Sequence, residues 1–170
     1  MQSQIPLLKW MLEDVRKETL EGVKHLTKEK LFQIPVEGEY PIGAYLMHIA
    51  DCEIDYLEFL SGVKQPIELK KRSYQDKWFR PDGEPSPPQI ALEVSEYFET
   101  LAAVRKKLLD YISTLKDSEL DKIIIRNIEG NEIKRMRKQI VFASIEHEIH
   151  HRGQMFMLIR IAGWNKKKAN

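Results

Sequence analysis

The stretch MRKQIVFASIEHEIHHRGQMFMLIRIA, residues Met136 to Ala162, decides the fold class. It has no proline, and Gly153 is its one weak helix former, so it predicts a long last helix that ends at Gly163. Upstream, Ile90, Val94, Phe98, Leu101, Val104, Leu108 and Ile112 recur every three or four residues, the stripe of an amphipathic helix, with Ser86 and Pro87 as its cap and first turn. The same spacing joins Ile5, Leu8, Leu12, Val15, Thr19, Val23 and Leu26 and predicts a first helix from Ile5 to His25. After VEGEYP, Pro41 opens a second helix from Ile42 to Leu60, which Ser61-Gly62 closes. Residues Gly62 to Pro88 hold five prolines and the turn Pro81-Asp82-Gly83, and they predict a long loop. β-Branched residues around Gly130 suggest a short hairpin or an extended connection over 123–133. The expected fold is all-α, a four-helix bundle with two long connections.

With 170 residues and 42% hydrophobic content, the chain predicts one domain over residues 1–165, followed by a basic tail at 166–170. Lys and Arg number 27 against 26 Asp and Glu, so a net charge of +1 supplies no field for nucleic acid or an anionic membrane. No segment approaches the roughly 20 apolar residues of a spanning helix. The single cysteine, Cys52, cannot pair within the chain, and MQSQIPLLKW is no secretory leader, so a cytoplasmic setting is expected.

Chemistry concentrates in Glu146-His147-Glu148-Ile149-His150-His151-Arg152-Gly153-Gln154. At about 100° per residue, His147 and His151 stand roughly 40° apart on one helical face. Ile140, Ala143, Leu158 and Ile161 share that face, so both imidazoles look toward the core, with His150 at its edge as a substitute ligand or a supporting group. Two buried imidazoles one turn apart repel when charged and lack partners when neutral, and a metal cation resolves both problems. His48 is the better third ligand, because its neighbours Ala44, Tyr45, Cys52 and Phe59 form an inward face. His25 lies among Lys24, Thr27, Lys28 and Lys30 and reads as solvated. Cys52 can ligate too, although a small buried apolar role suits it better.

His147-Glu148-Ile149-His150-His151 also satisfies H-E-x-x-H, the metallopeptidase pattern in which the glutamate is a general base, and this makes Glu148 a candidate catalytic residue. The peptidase pattern draws its third ligand from further along the chain, yet no His, Asp, Glu or Cys follows His151. LTKEKLFQIPVEGEYPIGAYLMHIADCEIDYLEFL (26–60) and EHEIHHRGQM (146–155) instead resemble the DinB-like (YfiT-like) family, and the similarity runs over nearly the whole chain. Its most specific parts are HIADCE around His48 and HxxxHRGQ from His147 to Gln154. The resemblance implies a four-helix bundle, often dimeric, in which three histidines hold one divalent ion, and it maps those ligands onto His48, His147 and His151. It also implies a thiol-dependent S-transferase or isomerase using a low-molecular-weight thiol, or a metal-dependent hydrolase.

Three imidazoles leave a coordination position open for a small-molecule substrate, with zinc or nickel as the expected ion. Glu148 and Asp51 are expected to orient ligands, and Arg152 and Gln154 to anchor the helix or a polar substrate. A different class of function is a non-enzymatic metal-binding stress-response protein. A second apolar row, Phe142, Ile145, Ile149 and Phe156, faces away from the histidines and predicts a homodimer.

Overall fold

The apolar stripes fold as expected into long helices in the computed structural model, which describes residues 3–74, 77–79, 88–128 and 130–165. In chain order the elements are α1 (Gln4–Val23), α2 (Lys28–Phe32), α3 (Ile42–Ser61), α4 (Ile67–Arg72), α5 (Val94–Ser113), α6 (Asp117–Leu120), β1 (Ile123–Ile128), β2 (Asn131–Met136) and α7 (Arg137–Ile161). Among the described residues the protein is mostly helical, with one antiparallel hairpin that runs from the Ile123–Met136 pair to Ile128–Asn131. No described helix is long and apolar enough to cross a membrane.

Local chemistry fixes the helix ends. The Ser3 hydroxyl accepts from the Ile5 N–H, and Asp117 of α6 accepts from Ser3 Oγ at 2.8 Å and from the Gln4 N–H at 2.9 Å, so α6 holds the start of α1. Gly62 ends α3 at a φ of 72°, a left-handed value that suits glycine.

Helix α3 packs on α5 and α7, and α1 packs on α7 and, less closely, on α5. Their buried side chains form two apolar clusters. One gathers Leu12, Val15, Leu57, Leu60, Leu108, Ile112, Ile140 and Ile145, while the other gathers Val23, Ile42, Leu46, Leu101, Met155 and Leu158. The first halves of α1 and α7 therefore lie beside the second halves of α3 and α5. Helices α1 and α7 run one way, and α3 and α5 run the other. Because α3 and α5 are parallel, the chain must return along the whole length of α3, about 30 Å, before α5 begins. This return is what the long connection after Gly62 accomplishes.

Between the two clusters lies a layer of buried charge. Arg16 of α1, Glu53 of α3, Arg105 of α5 and Glu148 of α7 are only 6%, 2%, 4% and 0% exposed. Arg16 Nε donates to Glu148 Oε1 at 2.8 Å and its Nη2 to Glu53 Oε2 at 2.6 Å. Arg105 Nε donates to Glu53 Oε1 at 2.6 Å and its Nη2 to Glu148 Oε2 at 2.6 Å. Each arginine also donates across to the other's helix, Arg16 Nη1 to the Leu101 carbonyl at 2.7 Å and Arg105 Nη1 to the Leu12 carbonyl. Two positive and two negative groups cancel, and planar guanidinium forks meet carboxylates in the geometry that suits them best. Burial alone pushes the Glu148 carboxyl up, but Arg16 and Arg105 outweigh it and hold the group below the usual glutamate range.

Several expectations need correction. The third long helix starts at Val94, with Glu93 as its cap, because Ile90 is 76% exposed and does not join the stripe. Ser86, Pro87 and the Pro81-Asp82-Gly83 turn lie outside the described residues, as does the 166–170 tail. The stretch after Gly62 is not all loop, since Leu69 buries itself by way of the short helix α4. His25 is half-buried rather than solvated, with Nε2 against the Trp164 carbonyl at 2.8 Å. On α7, Ile145 is buried within the core while Ile161 is exposed, the reverse of their positions on an ideal wheel.

Removing one member of the charged layer strands its buried partners. Arg105→Ala is expected to lower the unfolding free energy by about 3–5 kcal/mol in a urea titration. A loss below about 1 kcal/mol would place the quartet in the class of solvated surface pairs.

Candidate metal centre

The groove between α3 and α7 collects the histidines. His48 sits near the middle of α3, and His147 and His151 sit one turn apart on α7. All three are partly buried, whereas His150 is exposed. His147 Nε2 is 3.2 Å from His48 Nε2 and 3.1 Å from His151 Nε2, so the His147 ring stands between the other two. His48, Cys52 and His147 each bring a ligand atom within 4.8 Å of the others.

These contacts make poor hydrogen bonds. Neutral imidazole has one N–H and one lone pair, and His147 Nε2 offers a single site to two neighbours at once. His151 Nδ1 donates to Gln154 Oε1 at 2.6 Å, which leaves a lone pair on its Nε2, directed at His147. Gln154, expected to anchor the helix or a substrate, thus fixes the tautomer of a candidate ligand. Metal–nitrogen bonds of about 2.0–2.1 Å would set two nitrogens of one ion about 2.9–3.4 Å apart, for angles between square and tetrahedral. The two spacings measured from His147 Nε2 fall inside that window, as neighbouring ligands of one divalent cation would.

Cys52 behaves differently. Its sulfur is 3.7 Å from His48 Nε2 and 3.8 Å from Nδ1, a nearly equal pair of distances that puts it between the two nitrogens rather than along the Nε2 lone pair. Asp51 accepts from the Ser73 hydroxyl at 2.9 Å, which ties α3 to the segment after α4. Glu148 cannot act as the base of an H-E-x-x-H site. Both of its oxygens are taken by Arg16 and Arg105, and the side chain is fully buried.

Each histidine has an aromatic wall. Phe79 lies 4.7 Å from the His48 ring, Tyr56 6.1 Å from His147 and Tyr45 5.7 Å from His151. Tyr40 packs on Phe79 at 4.2 Å, and burial followed by Glu39 pushes the Tyr45 phenol up to about 12. These rings thin the water around the nitrogens. Nothing in the periodicity of the sequence announced Phe79 or the buried arginines, although Arg16 and Arg105 both stand at core-facing steps of their stripes.

Comparison with known proteins bears on the family and the fold. The profile of the DinB superfamily matches residues 11–155. Among solved structures, a conserved protein from Enterococcus faecalis superposes with a TM-score of 0.72 at 16% identity, covering 97% of this chain and 100% of its own. A DinB-like protein from Bacillus cereus superposes with a TM-score of 0.62 at 22% identity, covering 90% and 91% respectively. No curated protein matches the chain.

In the metal-free protein, burial and then the neighbouring His151, His48 and His150 push His147 down from 6.5 to about 4. An NMR titration of the ring should therefore find it neutral until about pH 4. The unfolded chain takes that proton first, so the stability His147 contributes is full above 6.5 and drains as pH falls toward about 4. A ring that titrates near 6.5 would instead be standing in water.

Proposed function

The chain belongs to the DinB superfamily, and from that footing we propose that it is a metal-dependent enzyme in which His48, His147 and His151 hold one divalent ion, zinc or nickel. The observation that carries this reading is that His147 Nε2 lies 3.1–3.2 Å from ring nitrogens of both His48 and His151, a spacing that suits a shared cation better than shared protons. On this reading the four long helices form a four-helix bundle, and the crossover after α3 and the hairpin segment are its two long connections.

An ion held by three neutral imidazoles keeps a position open, where a thiol or a water would lose its proton near neutral pH. The protein's own residues do the rest. Gln154 keeps His151 in the ligating tautomer, and Phe79, Tyr56 and Tyr45 limit water around the open side. The chemistry best suited to this setting is the transfer of a low-molecular-weight thiol to an electrophilic small molecule, with hydrolysis as the related alternative. The single cysteine and balanced charge agree with a cytoplasmic setting and with no nucleic-acid partner.

A non-enzymatic metal binder is the second reading. It draws on the outer face of α7, where Phe142, Ile149 and Phe156 are exposed in a row. Three large apolar side chains along one helix favour a homodimer under either reading.

Elemental analysis of purified protein should find about one divalent ion per chain. The double variant His147→Ala, His151→Ala should hold none while keeping its helical circular dichroism. A wild-type chain without stoichiometric metal would end the metal reading. Conjugation of a low-molecular-weight thiol to monochlorobimane, dependent on that ion, separates enzyme from binder. Metal without turnover for any thiol tested assigns the binder. For the dimer, size exclusion at micromolar concentration should give twice the chain mass and Phe142→Lys should return it to the monomer, whereas a wild-type monomer rejects it.

A further inference from the structure

We propose that the cavity enclosed by α3, α7 and the β-hairpin binds an amphipathic organic anion, with its carboxylate or sulfonate on Arg135 and its apolar body against Tyr56, Phe59, Ile133 and Ile140. The cavity measures about 360 Å³, inside the usual range for small-molecule sites, and apolar side chains supply most of its lining.

Hairpin register explains why an arginine reaches it. Directly paired residues of an antiparallel ladder share a face, and here Ile124 pairs with Arg135 and Arg126 with Ile133. Ile124 is buried against the helices, so this is the inner face. The hairpin therefore sets two arginines on this face, Arg126 half-buried and Arg135 exposed at the cavity rim. Arg126 is already committed, since its Nε donates to the Phe59 carbonyl at 3.1 Å and its guanidinium fills the space a side chain at Gly62 would need. Arg135 is not. Its Nη1 donates to the carbonyl of its own neighbour, Lys134, at 2.9 Å, and it forms no ion pair with any described residue.

The carboxylate along the described lining, Asp55, also borders the adjoining cavity, whose other charged residues are Glu58, Lys64 and Arg126. An apolar pocket with an unmatched guanidinium at its rim suits an anion carrying a hydrophobic group. Tyr56 links the pocket to the histidines. Its ring lines the cavity and meets the His147 ring edge-on at 6.1 Å, and Ala143, also in the lining, is one turn before His147. An occupant against Tyr56 thus lies about one helical turn from the ring nitrogens. The assignment of this anion as the substrate rests on the metal reading, while its binding does not.

Anilinonaphthalene sulfonate, followed by its fluorescence with the full-chain protein, tests the site. Arg135→Gln should weaken its binding about tenfold, the worth of one charge-assisted contact. Neutral phenylnaphthylamine should bind both forms alike, and Ala143→Phe should exclude both probes. If Ala143→Phe loses its helical circular dichroism, Ile133→Gln replaces it and should weaken both probes. Phe142→Lys, on the outer face, should change neither. Equal affinity of the sulfonate for wild type and Arg135→Gln overturns the proposal, and so does loss of binding in Phe142→Lys alone. His151→Ala separates the two readings, because probe binding that persists in a protein without metal upholds the cavity whatever becomes of the ion.

Discussion

Four charges buried in the middle of the protein constrain everything around them. Arg16, Glu53, Arg105 and Glu148 come one from each long helix, and none has water to fall back on. Burying an ion costs several kcal/mol unless its partners are close and well aimed, so the arrangement tolerates little sliding of one helix along another. A shift of one turn, about 5 Å, would break every contact in the layer. The apolar clusters on either side supply most of the gain in burial but are far less particular about register.

That constraint reaches the histidines through the backbone. Glu148 directly follows His147, and Glu53 follows His48 by little more than one turn of α3. Whatever fixes the two carboxylates against the same pair of arginines also fixes the two imidazoles against each other. The nitrogen spacing of 3.2 Å between α3 and α7 is therefore the outward expression of a register set in the interior. Glu148 serves the site as a positioning residue through its neighbour, although its place in H-E-x-x-H makes it look like a base. Gln154 and the aromatic walls act on the imidazoles locally, whereas the quartet sets the register that brings them together.

Helical spacing alone puts His147 and His151 on one face, and the structure brings His48 of the other helix against His147. The long helices were legible for the same reason, since their apolar steps repeat without interruption. Arg16 and Arg105 were not, because a lone charge inside a stripe reads as an edge residue until its partner is known. Those partners lie between 37 and 132 residues away along the chain. His25 failed similarly, for its lysine-rich surroundings concealed a bond to Trp164 at the other end of the protein. The start of α5 was misplaced because Ile90 happens to continue the period while the capping chemistry sits at Glu93 and Glu96. No spacing in the sequence singles out Arg135, and only the strand pairing shows that it shares a face with buried Ile124.

The balance of the buried layer also governs how the chain can assemble. Any three of the long helices, docked without the fourth, enclose a net charge of one sign with nothing to neutralise it. Partly docked forms are penalised in proportion to how dry they are, so they stay scarce beside the unfolded and the complete states. Since α7 follows the other three long helices in the chain and carries the last of the four charges, the layer can close only once α7 has been made. Cooperativity of this kind arises from electrostatic neutrality, and the search it demands spans most of the sequence, which marks the protein as a slow folder for a helical one.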